Sequence, residues 1–247
     1  MPLTFAHPAV ILPFSKKSTY VHFSAMILGS MAPDFEYFLR GQPGGEIGHT
    51  FSGFFYYNLP FVILIYFIYR FLIQHTLLHY FPLFPQDTYT TKRNISRVWK
   101  LVIFSYSALF GMLTHIVWDS FTHLNGYMVL KFPTVFARTY NIYGYTIPLY
   151  KFLQHGSTLL GITAIIIYMY VRSLSQQRKN VHIPMRSTCM FWSSFVLLML
   201  VVAMIWQLID YAPLLNYGAI VVRIIDSGFI SLLFLSLVLT YTKHKIS

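Results

Sequence analysis

Five long apolar runs dominate the chain, at roughly 51–73, 100–121, 157–174, 189–209 and 218–242. Each is long enough to cross a hydrocarbon core of about 30 Å at 1.5 Å per residue. The pattern predicts an all-α fold, a polytopic transmembrane helical bundle. The first fifty residues are less uniformly apolar. Pro8 and Pro13 interrupt a short opening segment. Ser18 can cap a helix from about Tyr20 to Met31, and Ala32-Pro33-Asp34 ends it, because the residue before a proline avoids the α region. Residues 20–39 are then either a sixth span or a pair of short helices packed on the bundle, giving five to six spans in all. Residues 41–48, Gly-Gln-Pro-Gly-Gly-Glu-Ile-Gly, form a turn-rich loop that delivers His49 to the next helix. No linker or repeat divides the chain, so 1–247 reads as one integral membrane domain. Residues 1–161 carry the motifs described below, and 189–247 adds two membrane helices.

Composition supports this reading. Of 247 residues, 56% are hydrophobic and only 10% charged, against about 25% charged in an ordinary soluble domain. Mean hydropathy is +0.56. Cys189 is the single cysteine, which excludes an internal disulfide and a thiolate metal cluster. The opening Met-Pro-Leu-Thr-Phe-Ala-His7-Pro lacks the charged start of a signal peptide.

A net charge of +11 raises the question of nucleic acid. The basic residues are gathered in short loops between apolar runs, where they orient membrane proteins and meet anionic headgroups. No basic stripe interleaved with aromatics is present, so nucleic acid is excluded as a partner and membrane lipid is expected instead. Lys92, Arg93, Arg97 and Lys100 follow the first run. Arg172, Arg178, Lys179 and Arg186 follow the third, and Lys243 and Lys245 follow the last. The positive-inside rule puts these three groups in the cytoplasm. His49, the His115–Asp119 pair and His155 then fall at helix ends on the extracytoplasmic face of a multi-pass plasma-membrane protein. Lys16, Lys17 and Arg40 disagree with this orientation if residues 1–50 do not span.

The chain holds seven acidic residues, and the most informative of them stands among histidines. In His115-Ile-Val-Trp-Asp119-Ser-Phe-Thr-His123, positions four apart share one face of a helix, so the three form a single ridge. Ionisable groups at the end of a membrane helix are costly and mark a functional site by default. With Asp34, His49 and His7 upstream, the set reads as a buried nitrogen-and-carboxylate metal site. The structural alternative for His115 and Asp119 is a histidine hydrogen-bonded to a carboxylate at a helix end. Asp34, after Ala-Pro, could equally form a turn or cap a helix. His49 could cap a helix start, and His7 could pack as a neutral ring with one hydrogen bond. His123 and His155 are further candidates for a second metal or for substrate. Glu36 is either a general base or a solvated group, and Asp34 is the other candidate base. His22, His75, His79, His182 and His244 read as interfacial or solvated. Arg223 and Asp226, three apart in the last run, read as a self-compensating ion pair.

Several of these motifs carry a resemblance. Met-Pro-Leu-Thr-Phe-Ala-His7-Pro-Ala, Gly29-Ser-Met-Ala-Pro-Asp34-Phe-Glu-Tyr-Phe, Gly48-His49-Thr50, the His115–His123 ridge and Pro148-Leu-Tyr-Lys-Phe-Leu-Gln-His155-Gly-Ser resemble domain-of-unknown-function family 4184. That family comprises bacterial integral membrane proteins without an assigned activity. The order His7, Asp34, His49, His115-xxx-Asp119, His123, His155 is also similar to membrane-bound metal-dependent hydrolases of the zinc-dependent phospholipase C type, which are helical. Those close their ligand set with HxxxE, whereas the position four after His155 is Leu159. The resemblance therefore implies one or two ions, zinc or alternatively manganese or iron, rather than three.

The expected function is a membrane-embedded metal-dependent hydrolase of a phosphoester, a phospholipid or lipid-linked substrate. The first ion would sit on Asp34, His49, His115 and Asp119, and a second on His7 with Asp119 and His123. The rivals are a metal or ion transporter, since intramembrane His and Asp also mark ion paths, and a non-catalytic membrane protein with a structural metal. A transporter should carry polar groups near the bilayer midplane as well as at the rim, and here they gather at one face.

Overall fold

The computed structural model describes residues 4–15, 18–81, 95–175 and 184–246. Lys16, Lys17, Lys92, Arg93, Arg178, Lys179, His182 and the side chains of Lys243, His244 and Lys245 fall outside what is described. Among the described residues helices dominate, and five are long and apolar enough to cross a membrane.

A 3₁₀ helix, Thr4–Phe14, opens the chain. Helices α1 (Phe23–Met31) and α2 (Phe35–Arg40) follow, joined by the 3₁₀ turn Ala32–Asp34. At nine and six residues neither can span a bilayer, so residues 20–39 are the pair of short helices and not a sixth span. The cap of α1 differs from the sequence expectation. His22 caps it, its Nδ1 accepting the Ala25 N–H at 3.2 Å, while its own N–H donates to Ser107 Oγ at 3.0 Å. His22 is therefore buried rather than interfacial. The Ser18 hydroxyl instead accepts from the N–H of Tyr20.

The first span, α3 (Phe51–Tyr80), runs further than the apolar pattern predicts and contains two π-helical turns, Phe54–Asn58 and Tyr69–Ile73. The first lies just before Pro60, whose ring cannot lie against the carbonyl four residues back, so the turn widens there. Span α4 (Arg97–Thr122) is capped by Ser96, whose Oγ accepts from Trp99 N at 3.2 Å. Short helices α5 (Tyr127–Lys131) and α6 (Pro133–Phe136) follow. A two-stranded antiparallel hairpin comes next, β1 (Thr139–Ile142) and β2 (Tyr145–Pro148), in register Thr139↔Pro148. Its turn has Tyr143 at φ 50° and Gly144 at φ 84°, the two positive values that a two-residue hairpin turn needs. The stretch between spans α4 and α7 is thus structured. Spans α7 (Leu149–Ser175), α8 (Met185–Ile209) and α9 (Tyr217–Ile246) complete the chain. Helix α7 starts eight residues before the apolar run, and this shift moves His155 into its second turn.

The chain divides into two compact units. In the first (1–33, 47–63, 87–171), α1 packs on α4 through small residues. A Cβ on Gly29 would lie 2.1 Å from Ala108 O, and one on Gly111 would lie 2.3 Å from Met26 O. Only glycine permits that approach. In the second unit (34–46, 64–86, 172–247), α8 packs on α9. There Arg223 does not pair with Asp226. Its Nη2 meets Asp210 Oδ2 at 2.6 Å, its Nε–H donates to Gly41 O at 3.2 Å, and Nη1 donates to the Asp210 carbonyl. A long side chain on a helix leans toward the N-terminal end, which sends the guanidinium to the α8–α9 connection and away from Asp226. The outward faces of the spans carry exposed leucine, isoleucine and phenylalanine, among them Leu159, Leu197 and Leu208. This is the surface a hydrocarbon solvent requires.

Candidate metal centre

The centre is assembled where α4 ends. Asp119 lies one turn beyond His115, and four histidines surround its carboxylate. Oδ2 is 3.1 Å from His115 Nε2 and 3.8 Å from His49 Nε2. Oδ1 is 3.4 Å from His123 Nδ1 and 3.5 Å from His7 Nε2. One carboxylate thus offers each oxygen to two imidazoles.

Each histidine is placed by a local feature. The α1–α4 contact at Gly111 brings the Ser30 carbonyl to 2.7 Å from His115 Nδ1. A carbonyl can only accept, so Nδ1 carries the proton and, in the neutral ring, the Nε2 lone pair points at Asp119. His49 follows Gly48, where a Cβ would come within 2.3 Å of Pro33 O. The Gly48 carbonyl is held by Asn58 Nδ2 at 2.7 Å, and Thr50 caps the start of α3 by accepting from Gly53 N. His7 is buried in the 3₁₀ helix, its ring stacked on His115 at 3.8 Å between centroids. Neither of its nitrogens makes a hydrogen bond among the described residues. Burial first, and then the neighbouring His115, push the His7 pKa down to about 3, so it stays neutral. His123 is not on the helix ridge. It is the C-cap, with extended φ −115° and ψ 146°, and its ring folds back to Asp119.

Asp34 directly follows Pro33. One ligand atom from each of Asp34, His49, His115 and Asp119 lies within 4.8 Å of the others, so this group could hold a metal ion. Asp34 ends the 3₁₀ turn and occupies the N-cap position of α2, without a side-chain hydrogen bond that caps it.

Two expected residues are not brought into this cluster. His155 is exposed and, unlike the other four, makes no ion pair with Asp119 among the described residues. Its neighbour Gln154 is the buried one, and successive helical positions point about 100° apart. Glu36 is buried rather than solvated, and Oε1 is held 2.9 Å from Arg40 Nη2 one turn on. His75 and His79 stack on each other in α3 with ring centroids 6.1 Å apart.

Sequence reasoning missed the Ser30 carbonyl, Asn58 and Trp118. The indole Nε1–H of Trp118 donates to Ser157 Oγ on α7 at 3.1 Å, and its ring lies 5.6 Å from His7. No spacing rule flags a backbone oxygen 85 positions from the ring it orients.

The family model described as Domain of unknown function (DUF4184) matches residues 1–241, and the chain belongs to this family. No curated protein and no solved structure matches it.

Proposed function

We propose that this family member is a membrane-embedded metal-dependent hydrolase of a phosphoester, with zinc held by the histidine–aspartate cluster. The observation that carries the reading is the tautomer of His115. With Nδ1–H given to the Ser30 carbonyl, a neutral ring turns a lone pair toward a carboxylate oxygen 3.1 Å away. Two acceptors at that distance repel unless a cation lies among them. A ligand histidine that gives its other N–H to a backbone carbonyl is also the usual outer-sphere arrangement of metal sites.

Asp34, His49, His115 and Asp119 are assigned to one ion. His7 and His123, sharing Asp119, are assigned to a second where it is present. Zinc suits a histidine–carboxylate set, with manganese or iron as alternatives. When bound, such an ion lowers the pKa of water toward about 7 and polarises a phosphoryl oxygen. With Glu36 engaged by Arg40, Asp34 is the carboxylate left to receive the water's proton. In the hydrolysis, the water oxygen bonds to phosphorus, the ester P–O bond breaks, and the proton ends on the leaving oxygen. The reaction class rests on the resemblance of the motif order to that of zinc-dependent phospholipase C. In the sequence, Arg97, Lys100, Arg172 and Arg186 flank the ends of the apolar runs away from His49, Asp119 and His155, and the positive-inside rule then supports an extracytoplasmic site in a bacterial plasma membrane.

Elemental mass spectrometry of the full chain in detergent tests the proposal. About one or two equivalents of zinc or manganese are expected, lost in Asp119→Ala and in His49→Ala, together with hydrolysis of bis(4-nitrophenyl) phosphate. No bound metal after reconstitution with each of the three ions overturns it.

A further inference from the structure

Beside the centre, within the same unit, a groove of about 680 Å³ runs between α4 and α7. Its walls are almost wholly apolar, and Trp118 is the wall it shares with the centre. On α4 the lining extends from Phe110 to Thr122, about 18 Å at 1.5 Å per residue. The groove therefore starts at the depth of Asp119 and continues toward the bilayer interior. Trp118 has its polar nitrogen committed to Ser157, so it presents only aromatic surface. The groove has the size and lining of a ligand pocket and opens on the lipid-facing surface of two membrane-length helices.

Charge on the connection from α4 to α7 is one-sided. No Asp or Glu occurs between Asp119 and Asp210. The connection from α4 to α7 and the start of α7 carry Lys131, Arg138 and Lys151, all exposed. That connection contains no span, so these cations share the membrane face of the centre. An apolar channel into the bilayer, a basic rim and a candidate metal centre at their junction match one kind of molecule.

We infer that the groove seats the hydrocarbon chain of a membrane lipid whose phosphate is presented to the His7–His115–Asp119 centre, so the substrate class is a phospholipid or another lipid-anchored phosphoester. This rests on the hydrolase reading above and adds to the lipid substrate expected from the sequence the place where its chain is held.

Gly156 supplies the test. It lines the groove, and a Cβ there meets no atom within 4 Å. Gly156→Leu therefore fills the groove without a backbone clash, and it replaces glycine in a helix by a better helix former. Leu160→Trp is a second filling variant. Leu159→Phe, on the exposed face and outside the lining, is the control. A phosphatidylglycerol carrying a diazirine in its chain is cross-linked to the full-length protein in nanodiscs, and labelled peptides are mapped by mass spectrometry. Labelling is expected to concentrate on 110–122 and 152–160 and to fall in both filling variants but not in Leu159→Phe. The preference for dioleoyl phosphatidylglycerol over bis(4-nitrophenyl) phosphate should drop by about tenfold or more with Gly156→Leu. Labelling spread evenly over all five spans, or unchanged by both filling variants, overturns the inference. The cross-link needs no metal, so its failure is distinct from failure of the hydrolase reading, which appears as loss of metal and of all turnover.

Discussion

Gly111→Ala is a sharp test of how the fold orients the centre, because it changes no ligand. The added Cβ would stand 2.3 Å from Met26 O, 2.7 Å from Ser30 N and 3.0 Å from Gly29 C. All three are backbone atoms of one rigid helix, and none can rotate aside. Regaining ordinary contact requires α1 to retreat from α4 by about 1 Å, an overpacking that costs roughly 1–3 kcal/mol. His115 lies one turn further along α4, and its bond to Ser30 O is 2.7 Å. A retreat of that size takes the pair beyond hydrogen-bond range. The proton on Nδ1 is then no longer fixed, and the lone pair of Nε2 is no longer held toward Asp119. Loss of such an outer contact lowers metal affinity about 10–100-fold. Zinc affinity is measured in detergent by competition with a fluorescent chelator, beside Gly156→Ala as a glycine change in open space. A cooperative thermal transition in both proteins establishes that they are folded. Zinc affinity in folded Gly111→Ala within about twofold of the parent would refute the claim that the α1–α4 contact sets the histidine.

Three further outcomes are expected. Asp119→Asn keeps the shape but removes the charge shared by four histidines, so elemental analysis should find the metal gone rather than halved, whereas His155→Ala should leave metal content unaltered. His7, held near 3 against an ordinary 6.5, binds fewer protons folded than unfolded between those values. Its neutral form contributes stability that is fully present above about 6.5 and lost as pH falls toward 3. In chelator, the melting temperature should therefore drop between about pH 7.5 and 5, and drop less in His7→Phe. Arg223→Met strips the Gly41 carbonyl of its donor and should lower stability by about 1–3 kcal/mol, read by thermal unfolding, whereas Asp226→Asn should leave the Arg223–Asp210 contact intact.

The legible part of this chain is the part that local spacing controls. The apolar runs gave the spans because a hydrocarbon solvent admits only segments that satisfy their own backbone. The i,i+4 rule placed His115 against Asp119. Where the decisive contact joins distant segments, spacing is silent. Nothing near Arg223 indicates that its guanidinium goes to Asp210 and Gly41, and the three-residue interval to Asp226 pointed to the wrong partner. His155 lies apart from the cluster for a related reason. Motif order is blind to where a helix begins, and starting α7 at Leu149 instead of near Ser157 rotates His155 outward while Gln154 turns in.

His123 shows the opposite case, a residue in the right place for a reason other than the one the pattern supplied. Helical spacing predicted it on the ridge, yet the helix ends at Thr122 and His123 leaves in an extended conformation. Its ring still reaches Asp119 because the residue at a helix end keeps its N–H bonded to the carbonyl four back, here Asp119 O at 3.1 Å. The backbone bond and the side-chain contact thus share one partner residue. A cap that folds back in this way also frees the chain to turn at once, and a Cβ on Gly126 would lie 2.5 Å from Ser120 O, so the turn is tight enough to need glycine. Gly126→Ala should therefore displace His123 while leaving His115 and Asp119 in place. If His123 serves a second ion, that variant loses only the more weakly held metal in a stepwise zinc titration. Loss of both ions together would show instead that the four histidines act as one site.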